Sequence, residues 1–253
     1  MCRAMEPSRY LDSVRENTGL LIDAARRAGL DAPVPTCPDW KVDDLVRHQG
    51  RVLWWMSVLV ETKAQEYVDR KGLEAEAKEQ EDPLAWLEAG ADHALVVLGG
   101  ADPDIPVWNW VEGGPGPARF WHRRMAHETA VHRVDAEAAA AGGVGPSRVE
   151  PAELASDGID EFLDFLPLRA RGGGLAGLSG SYHFHTTDVP GEWVVVFDDA
   201  GVEIRREHAK ADVAVRGPAS DLELFLYNRR SSDGLELYGD PGRVAAWTER
   251  IRF

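Results

Sequence analysis

The chain is predicted to fold as α plus α+β, an N-terminal four-helix bundle followed by a small C-terminal α+β domain, on three observations. Apolar residues recur at helical spacing through four long segments before Gly142. A Gly/Pro-rich stretch, residues 142–151, then interrupts the chain as a linker. After Gly172, Gly173 and Gly174 the pattern changes to short runs rich in valine and aromatic residues, which read as strands. The expected domains are residues 1–145 and 146–253.

The first helix is expected from Pro7 to Gly29, with Tyr10, Leu11, Val14, Leu21, Ile22 and Ala25 on its core side and Gly29 as its C-terminal cap. Residues 31–40 hold three prolines and form an ordered loop that packs Trp40 back onto the bundle. A second helix begins near Asp43, its core face made by Leu45, Val46, Val52, Leu53, Met56 and Leu59, with Trp54 and Trp55 filling or lining a pocket. Glu61 to Glu81 is dense in charge and reads as a solvated helix end or mobile connection. Pro83 suits the first position of a third helix that ends at Gly99 and Gly100, and the lone His93 on it is expected to be satisfied or exposed. Residues 102–117 form a long Gly/Pro-rich loop with two tryptophans, of the kind that often borders a site. The fourth helix runs from about Ala118 to Ala141, which leaves one long crossover between the second and third.

In the second domain a helix is expected from Ala152 to Leu166. Strands follow at residues 182–186, 192–197, 201–205 and 211–215, with a hairpin turn at Asp198–Gly201, and helical patterns at 220–230 and 241–250.

Charge and composition exclude several classes of function. The 28 basic and 43 acidic residues leave a formal charge of −15, which makes nucleic-acid backbones and anionic membrane surfaces poor partners. No apolar run is long enough to span a membrane, and the first residues lack the apolar core of a signal peptide, so a cytoplasmic protein is expected. Cys2 and Cys37 offer neither a disulfide framework nor metal-ligand spacing, and Cys37 reads as structural.

Chemistry concentrates in the fourth helix, between Arg123 and Glu137. Glu128 and His132 are four residues apart, about 400° of helical rotation, so a carboxylate and an imidazole stand one turn apart on one face. His127 lies about 140° around the helix from His132 and cannot easily join them. Such pairs also occur as plain surface partners, so a third residue matters. His48, on the second helix, could complete a set of two histidines and one glutamate, and three protein ligands leave open the coordination positions that mark a catalytic metal site. Each ligating imidazole would give its other ring proton to a neighbouring acid. Asp44 and Asp135 are spaced for that role towards His48 and His132, although both also suit a helix surface.

Three groups of residues carry a resemblance to a known family: residues 34–48, residues 123–135, and, in the second domain, residues 211–222 with 235–241. Together they resemble the mycothiol-dependent maleylpyruvate isomerase family over nearly the whole chain. The resemblance implies a DinB-like metal-binding bundle, a sterol-carrier-like α+β domain, and His48, Glu128 and His132 as ligands of a divalent metal, zinc foremost. It also implies mycothiol as cosubstrate and a small electrophile as substrate, in an isomerase or a thiol-S-transferase. A coordinated thiol is deprotonated, and thiolate is the nucleophile. Arg123, Arg124, Arg229 and Arg230 are candidates for binding the thiol or the substrate, each with an ordinary ion pair as its alternative. Two other classes remain open at this stage: a non-catalytic metal-binding or regulatory module, and a metal-dependent hydrolase.

Overall fold

The computed structural model describes residues 5–251; residues 1–4, with Cys2 among them, and 252–253 lie outside that range. The described chain divides into two compact units, Met5–Ser147 and a C-terminal unit that begins at Arg148. No described helix is long and apolar enough to cross a membrane.

The N-terminal unit is built on four helices: α1 (Pro7–Ala28), α2 (Val42–Glu61), α4 (Pro83–Gly100) and α5 (Arg119–Ala141). Pro7 and Pro83 occupy first-turn positions, where a missing N–H costs nothing, and Gly29 closes α1 with φ 82°. The most extensive packing is α1 on α5 and α2 on α4. The second of these contacts needs small residues: a Cβ on Gly50 would stand 2.6 Å from the Trp86 ring, and one on Gly90 would stand 2.7 Å from Trp54 Nε1. The core between the helices is fully apolar at Val14, Leu21, Leu45, Leu53, Met56, Leu59, Leu87 and Trp121. His93 is satisfied, stacked on Trp54 and 3.2 Å from Glu61.

Two stretches carry elements of their own, where a solvated helix end or mobile connection and a long loop were expected. Lys71–Glu79 forms the short helix α3, held from α2 by the Arg47 guanidinium, which donates to the Ala77 and Gln80 carbonyls, and from α4 by Trp86 Nε1 on Glu76. Its charges lie outward and only Ala77 is buried, so a solvated pattern and a docked helix coexist. The Gly/Pro-rich loop contains a two-stranded hairpin, β1 (Pro106–Asn109) with β2 (Gly114–Pro117), anchored where Trp121 Nε1 donates to the Trp108 carbonyl.

In the C-terminal unit, α6 (Ala152–Asp164) and α7 (Leu166–Arg171) precede a five-stranded sheet. Its strands are β3 (Gly180–Thr186), β4 (Glu192–Asp198), β5 (Gly201–Arg205), β6 (Val213–Gly217) and β7 (Glu236–Gly239), in the order β5-β4-β3-β6-β7. All pairs are antiparallel except β3 with β6. Two further helices, α8 (Ala219–Leu226) and α9 (Pro241–Arg250), complete it. Tyr182, Phe184 and Phe197 pack on Trp247 of α9, while Trp193 donates to Asp160 of α6, so one face of the sheet is the core face. By strand alternation His183 and His185 point to the opposite face. The edge strand β7 is exposed throughout, and no buried alternation marks it in the sequence.

Candidate functional site

The bundle brings His48, Glu128 and His132 together. One ligand atom from each lies within 4.8 Å of the others. Glu128 Oε1 is 2.9 Å from His48 Nε2 and 3.4 Å from His132 Nε2. Around a tetrahedral ion with bonds of about 2.0 to 2.2 Å, neighbouring donor atoms stand roughly 3.3 to 3.6 Å apart, so two imidazoles and one carboxylate at this spacing suit such an ion with little movement. The three side chains are 22%, 18% and 9% exposed, enough for a small molecule to reach them from one side.

Each of the three is held by a neighbour. Arg124, one turn before Glu128, donates to its second oxygen at 2.5 Å. Asp135 lies behind His132, its Oδ2 accepting from the ring Nδ1 at 2.8 Å. Asp135 is itself fully buried and is fixed by Thr36, whose hydroxyl donates to Oδ1 at 2.6 Å, with the Cys37 thiol 3.7 Å from Oδ2. Trp40 covers both imidazoles, its ring centroid 4.9 Å from that of His48 and 5.9 Å from that of His132. The Pro-rich loop before α2 thus supplies three residues around the site. Its position just ahead of the helix that carries His48 was the available sequence signal.

Asp44 does not take the place expected for it. Its carboxylate accepts from the Lys41 backbone N–H at 2.9 Å, capping α2, because a carboxylate in the first helical turn finds unpaired N–H groups nearby. Arg51 occupies the other side of His48, its Nη2 3.2 Å from Nδ1. Arg51 donating to Nδ1 leaves the ring's own proton on Nε2, facing Glu128. An ion bound at Nε2 would move that proton to Nδ1, so Arg51 must swing aside. Its side chain is 26% exposed and 3.5 Å from Glu74, which leaves it that freedom.

The arginines separate into different surroundings. Arg124 belongs to the site as the partner of Glu128, and Arg123 sits half-buried beside it in sequence. Arg229 and Arg230 belong to the C-terminal unit, where Arg229 donates to the Tyr227 carbonyl and Arg230 pairs with Asp221. His127 is fully buried against Tyr10 of α1, away from the three converging residues.

Charge within the site is uneven. Burial pushes the Glu128 carboxyl up, but Arg124 and the two imidazoles outweigh it and hold the group well below the usual carboxylate range. Burial lowers His48, against the pull of Glu128. Burial also opposes a charge on His132, yet its bonds to Asp135 and Glu128 prevail and raise it to about 9. The result is a paired anion and cation beside a neutral imidazole.

Two family models match the chain: the mycothiol maleylpyruvate isomerase N-terminal domain over residues 11–137, and the C-terminal domain of the same isomerase over residues 153–246. Among solved structures, the mycothiol-dependent maleylpyruvate isomerase aligns over 98% of both chains with a TM-score of 0.63 and 15% identity. A histidine-to-alanine mutant of an enzyme so named aligns over 98% of both chains with a TM-score of 0.67 and 14% identity. At these identities the structural likeness establishes the fold, a helical domain followed by an α+β domain. No curated protein matches the chain.

Proposed function

Since the chain belongs to the mycothiol maleylpyruvate isomerase family, we propose that it is an isomerase that uses mycothiol on a small electrophilic substrate of the maleylpyruvate kind, with a divalent metal held by His48, Glu128 and His132. The observation that carries this reading is the convergence of those three side chains from α2 and α5 in a chain of this family. A divalent ion with open positions supplies a low-pKa environment for a thiol, which at neutral pH is otherwise mostly protonated.

The residues of the chain have defined tasks in this reading. Arg124 fixes the Glu128 carboxylate, so one oxygen stays aimed between the two imidazoles. Asp135 accepts the His132 Nδ1 proton and keeps Nε2 turned towards Glu128, and Thr36 keeps Asp135 in place. Trp40 covers one side of both rings and excludes water there. The thiolate adds to an electrophilic carbon of the substrate and the π pair moves onto the conjugated carbonyl oxygen as an enolate, the resulting single bond turns, and the pair returns to re-form the double bond as the thiolate is expelled. The thiol is regenerated, as an isomerase requires.

Incubation of the zinc-loaded protein with mycothiol and maleylpyruvate tests this directly. The expected outcome is an isomerised product with the free thiol concentration unchanged. A stable thioether, with thiol consumed in equal amount, would instead identify an S-transferase. Absence of any mycothiol-dependent change would overturn the proposal.

A further inference from the structure

A second set of metal-ligating side chains lies in the C-terminal unit. His183 and His185, two apart on β3, project from the same face of the sheet, and the register sets His185 opposite Glu192 of β4. His208 comes from the seven residues, 206–212, that join β5 to β6. Strands β5 and β6 run in the same direction, with β4 and β3 between them, so this short connection must cross the sheet. It does so over the face that carries the histidines. All three imidazoles converge on one carboxylate oxygen: Glu192 Oε2 is 3.1 Å from His183 Nε2, 2.5 Å from His208 Nδ1 and 3.9 Å from His185 Nδ1. One ligand atom from each of the four residues lies within 4.8 Å of all the others.

We propose that His183, His185, Glu192 and His208 form a second metal site, for a borderline divalent transition ion such as zinc. The donor set argues for that class, since three imidazoles and one carboxylate suit zinc and its neighbours, whereas magnesium and calcium take oxygen donors. The distances to Glu192 Oε2 bracket the roughly 3.3 to 3.6 Å expected between donors of a tetrahedral ion. Burial supports it as well: the His183 side chain is 8% exposed, and the carboxylate shared by three imidazoles is 30% exposed. His208 is 75% exposed on an irregular segment, so it is free to make the final adjustment. Four protein donors fill a tetrahedral shell, which is the pattern of a structural site. The ion would staple the β5–β6 connection to β3 and β4. Beside the cluster a cavity of about 310 Å³, lined by Thr186, Pro190 and Arg206, gives the ion a route in.

The test uses the full chain, stripped with a chelator and titrated with zinc, with bound metal counted by elemental analysis and cobalt substitution read by visible absorption. His208→Ala removes an exposed ligand without disturbing the core, and Glu192→Gln removes the shared carboxylate at nearly constant shape. Each should weaken zinc binding at this site by more than about 100-fold, beyond the 10- to 100-fold typical of residues that only support a ligand. In a His48→Ala background, zinc should raise the thermal midpoint, and adding His208→Ala should abolish that rise. One tightly bound zinc that survives His48→Ala but not His208→Ala also supports this site, and counts against the bundle site instead. Unchanged zinc binding and thermal response in both His208→Ala and Glu192→Gln would overturn the proposal.

Discussion

The two histidine–glutamate clusters differ in how their ligands are supported. In the bundle, two of the three residues have a partner behind them that a bound ion would leave in place, Arg124 behind Glu128 and Asp135 behind His132, while Arg51 beside His48 would have to move away. The acid itself is supported by Thr36 from a separate loop. On the sheet, three imidazoles share one carboxylate, and one of the three, His208, comes from an irregular crossover. A three-residue site with two members held from behind would keep its geometry when a substrate arrives at the open side. A site with four ligands and little behind them depends on the ion for its order. On the proposed reading, the contrast is that between a site that reacts and one that holds.

The two clusters separate most visibly at Asp135. Asp135→Ala removes the acceptor that fixes His132 and leaves Thr36 without its partner, so zinc affinity in the bundle should fall by about 10- to 100-fold while the C-terminal cluster is unaffected. Competition with a chromophoric chelator measures this, and an unchanged affinity would mean that Asp135 serves only to bury a charge.

A smaller effect concerns pH. His132 is raised to about 9 from an ordinary 6.5, with burial opposing the shift and Asp135 and Glu128 driving it. Its folded pKa lies above its unfolded one, so its contribution to the stability of chelator-stripped protein is present below about 6.5 and is lost as pH rises through about 9. A metal takes the proton's place, so zinc affinity should rise with pH over the same window. Denaturation midpoints of the stripped protein at pH 6 and pH 9 measure the first part. A midpoint that climbs across that interval would contradict the assignment.

The smallest effect is at Asp44. Asp44→Ala should cost about 1 kcal/mol of stability through the lost α2 cap and leave zinc binding unchanged. A loss of zinc in that variant would restore Asp44 as a partner of His48.

Much of this was legible in the sequence because periodicity reports burial. Helices α1, α2 and α4 each bury one face and β6 alternates buried with half-buried positions, so the pattern follows, whereas α5, buried on nearly every side, is marked instead by its length without Gly or Pro. Glu128 and His132 were legible as a pair because both sit on one helix, and His48 because it stands on a second one. The remainder needed tertiary information. The β1–β2 hairpin includes Gly114–Pro117, a composition that periodicity rejects as strand. Strand β7 buries nothing. Asp44 and Arg51 are separated from His48 by four and three residues, and helical spacing alone does not decide which of them faces its ring. The sheet cluster spans residues 183–208 and depends on strand register and on the path of the crossover, neither of which is written in local spacing.

The proposed thiol chemistry requires an ion at His48, Glu128 and His132. Its most direct test is mycothiol-dependent turnover in protein stripped of metal and then titrated with zinc, alongside His48→Ala. Stripping is expected to abolish turnover, zinc to restore it in proportion to occupancy of the bundle site, and His48→Ala to stay inactive while folded. Full mycothiol-dependent turnover in stripped protein, or in metal-free His48→Ala, would contradict it.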